Sequence, residues 1–129
     1  MRIITYLITL YFFISINFAQ TNTDGNSTKQ PIVTFIELGS VNCIPCKKMQ
    51  PVMKAIENKY RDQIKVVFHD VWTEKGKPFS QKYKIKLIPT QIFIDKNGKE
   101  FFRHEGFFSE KDIDNLLQKQ GLKPISTKL

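Results

Sequence analysis

The stretch Ile32-Val33-Thr34-Phe35-Ile36-Glu37-Leu38-Gly39-Ser40-Val41-Asn42-Cys43-Ile44-Pro45-Cys46 decides how the rest of the chain is read. Its first half is a nearly continuous apolar run rich in β-branched residues, which predicts a strand over Ile32 to Leu38, buried on both faces. Gly39 to Asn42 read as a loop. The two cysteines, the only ones in the chain, then open a helix. A sulfur at a helix N-terminus meets unpaired N–H groups and the positive end of the dipole, and both favour a thiolate. The thiolate is the nucleophile of disulfide exchange. Cys46 lies three residues on, one helical turn away, close enough to form a disulfide with Cys43.

Beyond Cys46, Met49, Val52, Met53, Ile56 and Tyr60 fall on one helical face. Pro51 lies within this helix and is expected to kink it. Ile64 to Val71 reads as a second strand. Thr73 to Lys84 is polar, with a short helix suggested by Phe79 and Tyr83. Gln91 to Asp95 is a third strand, Asn97-Gly98 is a hairpin turn signal, and Lys99 to His104 returns antiparallel. Ser109, three residues before Asp112, has capping-box spacing for a last helix with Ile113, Leu116 and Leu117 on its apolar face. Gly121 ends that helix, and Lys123 to Leu129 reads as a frayed, flexible tail. Strand-helix-strand calls for a parallel pair with a right-handed crossover, and the hairpin adds antiparallel strands. The expected fold class is α/β: a mixed central sheet of about four strands, flanked by helices on both faces. The cysteine loop then lies at the carboxyl end of its strand, where ligands bind in open α/β sheets.

With 129 residues, 41% of them hydrophobic, the chain suits one globular domain, placed here at residues 31–122. Two cysteines are too few for a disulfide-stapled scaffold or a four-thiolate zinc site. The formal charge of +8 is carried mostly by lysines spread along the chain, without the clustering that nucleic-acid binding needs. It reads as a solvated surface, with at most weak attraction to anionic membranes or acidic partners.

Residues 1–19 read as a segment apart from the fold. Arg2 is the only charge before Asp24, and Ile3 to Phe18 is apolar apart from Thr5, Thr9, Ser15 and Asn17. That run is short of the ~20 residues of a membrane span and suits a signal-peptide h-region, with Ala19 as the last residue before cleavage. An uncleaved signal anchor is the other reading, and either places the domain in the periplasm or otherwise outside the cytoplasm. No cysteine near the cut offers a lipoprotein anchor. Residues 20–30 read as a flexible linker. In an oxidising compartment a structural disulfide is feasible. A bridge across two residues closes too short a loop to stabilise much, so reactivity explains the pair better.

Four features, spread over Ile32 to Gly121, resemble the thioredoxin superfamily. Cys43-Ile44-Pro45-Cys46-Lys47 resembles its active-site motif, Pro51 its active-site helix proline, Ile88-Pro89-Thr90 its cis-proline loop, and Asn97-Gly98-Lys99 its last hairpin. The resemblance implies a cis Ile88–Pro89 bond, with the Ile88 backbone open beside the sulfurs to hold a client chain by strand addition. It implies that Glu37 stands where thioredoxins keep a buried aspartate that assists proton transfer at the second cysteine. Burial in an apolar strand should raise its pKa. Asn42 departs from the tryptophan common before the first cysteine. Trp72 lies elsewhere and reads as a packing residue. The implied substrate-binding set is Asn42, Ile44, Pro45, Ile88, Pro89 and Thr90.

The expected chemistry is thiol–disulfide exchange, with Cys43 attacking, Cys46 resolving, Glu37 taking a proton, and no cofactor. Ile44-Pro45 resembles the dipeptide of reducing members more than the histidine-bearing pairs of oxidases and isomerases, so reduction is favoured. The implied partners are disulfide-bonded proteins, apocytochrome c among them, and a membrane thiol carrier of the CcdA or DsbD type; the domain is expected to act as a monomer. The alternatives are an oxidase or isomerase using the same cysteines, a substrate-binding module with an idle disulfide, or a metal module in which His69 and His104 join the cysteines.

Overall fold

The computed structural model describes residues 30–125. The expected signal segment, nearly all of the linker and the last four residues lie outside the described residues. Four strands, β1 (Val33–Gly39), β2 (Ile64–Asp70), β3 (Thr90–Asp95) and β4 (Glu100–Glu105), and three helices, α1 (Ile44–Tyr60), α2 (Lys77–Lys82) and α3 (Glu110–Lys119), make up the fold. The sheet order is β2-β1-β3-β4. β1 and β2 are parallel with Val33 opposite Ile64, as the α1 crossover requires. β3 runs antiparallel to β1 with Phe93 opposite Phe35, and β4 runs antiparallel to β3. The mixed sheet expected from sequence is present, and the helix runs through Pro51 as one element.

Central β1 is covered on both faces, which is why it is apolar at successive positions rather than alternate ones. Val33 and Phe35 face α1 and α3 and pack with Met49, Met53, Ile56, Phe93, Ile113 and Leu117. Phe35 and Phe93 stack at 4.7 Å. Ile36 and Leu38 face the other way, toward Val71, Ile92 and the α2 aromatics Phe79 and Tyr83. Odd-numbered β1 residues therefore share a face with the active-site helix, which fixes where Glu37 and Gly39 look.

Ser109 caps α3 by accepting from the Asp112 N–H at 3.2 Å. Gly98 takes φ 81° in the β3–β4 turn, a conformation that suits glycine. At the end of the sheet where β1 begins, Lys59 pairs with Glu110 at 2.7 Å and with Asp114, and the Tyr60 hydroxyl donates to Asp114 at 3.1 Å. The tail begins differently from expectation. The Gln63 side chain accepts from Lys123 N at 2.9 Å and donates to Lys123 O at 2.8 Å, and Ile125 N donates to Lys59 O at 2.8 Å. Residues 123–125 are thus held by the Gln63 side chain and the Lys59 carbonyl, more than fifty positions away, contacts that sequence spacing does not reveal.

Candidate active site

Cys43 is the N-cap of α1, with extended backbone angles (φ −93°, ψ 123°) and its Sγ 3.3 Å from the Cys46 N–H that it accepts. Sulfur here does what a serine or aspartate oxygen does at other helix starts. No acid stands in the first turn, so negative charge on Sγ meets free amides and the helix dipole without a rival. Cys43 and Cys46 are joined as a disulfide, with Cα atoms 5.2 Å apart. The two sulfurs are not equivalent: Cys43 keeps 8% of its surface exposed and Cys46 none. Cys46 is pressed against β1 at Gly39, where an added Cβ would meet the Cys46 Cβ and Sγ at 3.2 Å each.

The Ile88–Pro89 bond is cis. Thr90 is opposite Leu38, so Pro89 comes next to Gly39 and therefore to the inner cysteine. The loop is braced on both sides, by Gly106 N donating to Pro89 O at 2.8 Å and by the Thr90 hydroxyl donating to Leu87 O at 2.7 Å. Among the described residues the Ile88 backbone makes no backbone hydrogen bond, as an edge that receives a client strand requires. The Thr90 side chain is fully buried and its hydroxyl is committed to Leu87, which braces the loop. Asn42, Ile44 and Pro45 are exposed at the rim, Ile44 by 73%.

Glu37 lies two residues before Gly39 on the same face of β1, with none of its surface exposed and neither carboxyl oxygen hydrogen-bonded. Burial pushes its pKa up to about 8. The neighbouring Gln91 amide works against that rise, burial being the larger effect. Gln91 is the residue that sequence reading missed. It is cross-strand from Glu37, fully buried, and both of its amide atoms are unpartnered. The strand pairings continue into a row across the sheet, Phe68, Glu37, Gln91 and His104. The row leads from the sealed carboxyl to edge strand β4, where the His104 ring stacks on Phe108 at 4.3 Å and its Nε2 lies 3.1 Å from Phe107 O.

His69 pairs with Leu38 and stacks on Phe79 at 3.5 Å, on the opposite face of the sheet from Glu37 and Gln91. The two histidines therefore cannot converge on the cysteines, and among the described residues no cluster of three metal-ligating side chains exists. Trp72 is a correction: it is 63% exposed, not packed. The Asp70 carboxylate accepts from Trp72 N at 3.1 Å and from Val41 N at 3.2 Å, and this turns the chain outward.

Comparison with known proteins agrees with this geometry. The pattern of the thioredoxin-like domain family matches residues 18–121. A chloroplastic thioredoxin Y1 of Arabidopsis thaliana is 34% identical over 88 residues, covering 68% of this chain and 48% of the relative. Thioredoxin 1 of Synechococcus elongatus is 34% identical over 88 residues, covering 68% of this chain and 79% of the relative. The chain thus spans about half the length of the plant relative and about four fifths of the cyanobacterial one. Among solved structures, the germline-specific thioredoxin Deadhead of Drosophila melanogaster superposes with TM-score 0.61 at 24% identity, over 71% of this chain and 83% of that one. A thioredoxin from Halobacterium salinarum gives 0.62 at 17% identity, over 74% and 80%, a likeness of fold. With the family pattern lying over the cysteine helix, the cis-proline loop and the last hairpin, the chain belongs to the thioredoxin-like domain family and carries its CxxC pair as Cys43 and Cys46.

Proposed function

We propose that this chain is a thiol–disulfide oxidoreductase that reduces disulfides of client proteins outside the cytoplasm. The observation that carries the reading is the pairing of unequal sulfurs with a sealed carboxyl: Cys43 Sγ at the helix cap, Cys46 buried against Gly39, and Glu37 unpartnered on the same strand face. The Cys43 thiolate attacks a client disulfide, forming a mixed disulfide and releasing one client sulfur as a thiolate that takes a proton. Cys46 then loses its proton and attacks the Cys43 sulfur. The second client sulfur leaves with both electrons of the broken bond, and the Cys43–Cys46 disulfide forms.

A buried thiol gives up its proton poorly without an acceptor, and Glu37, with its pKa pushed up to about 8, is matched to that task near neutral pH. Two strand residues span about 7 Å, so the transfer runs through water rather than by direct contact. Reduction is favoured over oxidation because Ile44-Pro45 places no histidine beside the Cys43 thiolate. The apolar segment before the linker supports a location outside the cytoplasm. There a membrane thiol carrier of the CcdA or DsbD type is the natural source of reducing equivalents.

Two measurements test the reading. Cys43→Ser should abolish reduction of a model protein disulfide, while Cys46→Ser should accumulate a mixed disulfide with the client. A couple near the thioredoxin potential of about −270 mV supports reduction, and one near about −120 mV would overturn that direction.

A further inference from the structure

Between the cis-proline loop and the carboxyl end of β2 lies a groove of about 640 Å³, bordered by Trp72, Lys77, Lys86, Leu87 and Ile88. Trp72 and Leu87 expose 63% and 45% of their surfaces into or beside it, unusually much for large apolar side chains. The groove is held in shape. Val71 N donates to Gly39 O at 2.9 Å, Thr73 Oγ1 to Asp70 O at 2.7 Å, and Gly76 N to Thr73 O at 3.1 Å. Gly76 closes so tightly on Asp70 that a Cβ there would lie 1.8 Å from the Asp70 carbonyl oxygen, so only glycine fits.

Both ends of the groove are linked to the segments that carry the disulfide. Through Asp70, Trp72 is tied to Val41, two residues before Cys43. At the other end Ile88 adjoins Pro89, which neighbours Gly39 and the inner sulfur. The charge is one-sided: residues 71–88 hold five lysines (75, 77, 82, 84 and 86) against the single acid Glu74. Lys82 is spent on its own aromatics, 5.9 Å from the Phe79 ring centre and 5.2 Å from that of Tyr83. Lys77 and Lys86 line the groove together with Glu74, so its wall carries two cations against one carboxylate.

We infer that this groove docks the client segment flanking the target disulfide, and that it selects an extended segment with an apolar side chain next to carboxylates. The inference rests on the oxidoreductase reading and names the client class for it. Trp72 and Leu87 offer a broad rigid apolar surface at little entropic cost. Lys77 and Lys86 favour acidic flanks in rate and register and disfavour basic ones.

Trp72 is the only tryptophan, so its fluorescence reports directly on docking. The full chain, with its disulfide formed, is titrated with three peptides of equal length. Each carries one leucine and a serine in place of the cysteine, flanked by two Glu, two Gln or two Lys. The Glu peptide should shift Trp72 emission and bind about five-fold or more tightly than the Gln peptide, with the Lys peptide weakest and the differences shrinking as salt is added. Lys77→Glu with Lys86→Glu should reverse the order. Equal affinities, or no emission change with any peptide, overturns the proposal; the salt series on the unaltered protein decides the matter even where the double variant folds poorly. Reduction of neutral hydroxyethyl disulfide by the same protein, first converted to its dithiol with dithiothreitol and freed of excess reductant, is assayed alongside. Its absence would sink the oxidoreductase reading, whereas its presence with charge-blind peptide binding sinks only the groove.

Discussion

Two polar clusters sit at opposite ends of the same sheet and are built by opposite rules. At the end where β1 begins, Lys59 bonds to Glu110 and Asp114, Tyr60 to Asp114, and Gln63 to both backbone groups of Lys123. Near the disulfide, Glu37 and Gln91 are more deeply buried, yet all four of their side-chain polar atoms lack partners. Buried polar groups left unpaired cost about 1–3 kcal/mol each. The fold thus saturates the cluster at one end and keeps an unpaired, protonatable carboxyl at the other, which is where the proposed mechanism needs one.

The strongest way to break this contrast is Glu37→Gln, which keeps the shape and removes the proton acceptor. Resolution of the mixed disulfide should slow on the order of 10- to 100-fold in single-turnover reduction near pH 7, at or below the usual span for general acid–base catalysis. Stability should respond too. The carboxyl pKa is 4.5 unfolded and about 8 folded. Its contribution to stability is therefore fully present below pH 4.5 and is lost as pH rises through about 8, at ~1.4 kcal/mol per unit. Urea midpoints at pH 5 and pH 9 should fall in the parent protein and stay closer together in Glu37→Gln. A parent protein equally stable at both would refute the raised pKa.

The saturated end should give the reverse pattern. Asp114→Ala strands the Tyr60 hydroxyl and one contact of Lys59, so it should cost about 1–2 kcal/mol by urea unfolding while disulfide reduction is unchanged. Gln91→Leu sharpens the comparison. It removes the one neighbour that lowers the Glu37 pKa, so the pH profile of the resolving step should shift upward, with a few-fold loss below its new midpoint. Gln91→Glu, with its second buried carboxyl, should shift it further. Lys54→Ala breaks an exposed pair with Glu57 that belongs to neither cluster and should change stability by less than about 0.5 kcal/mol.

What was legible from sequence is what local chemistry writes. The continuous apolar run predicted a doubly covered β1, the cysteines at the junction predicted a helix starting at Cys43, which proves to be its cap, and Asn97-Gly98 predicted the last hairpin, in which Gly98 takes a positive φ. Glu37 was legible because a charged residue inside such a run stands out. Gln91 was not, because its meaning comes from register: only the pairing of β3 with β1 places it beside Glu37. Trp72 misled because a lone aromatic in a polar stretch reads as packing, while the Asp70 carboxylate that turns it outward acts through backbone geometry. Lys123 misled for a similar reason, its partner Gln63 lying on the far side of three strands and two helices in sequence.

The cap on α1 ties catalysis to folding in one atom. In the proposed mechanism Cys43 Sγ is the nucleophile, and it is also the acceptor that closes the first turn of the helix at Cys46 N. A thiolate is a stronger acceptor than a disulfide sulfur. By a thermodynamic cycle, whatever the cap gains on reduction appears equally in the reduction potential and in the folding free energy of the dithiol form. The Cys46 amide is then a built-in gauge: its hydrogen-exchange protection should rise when the pair is reduced. A client disulfide-bonded to Cys43 would leave that sulfur the weaker acceptor again, as the internal disulfide does.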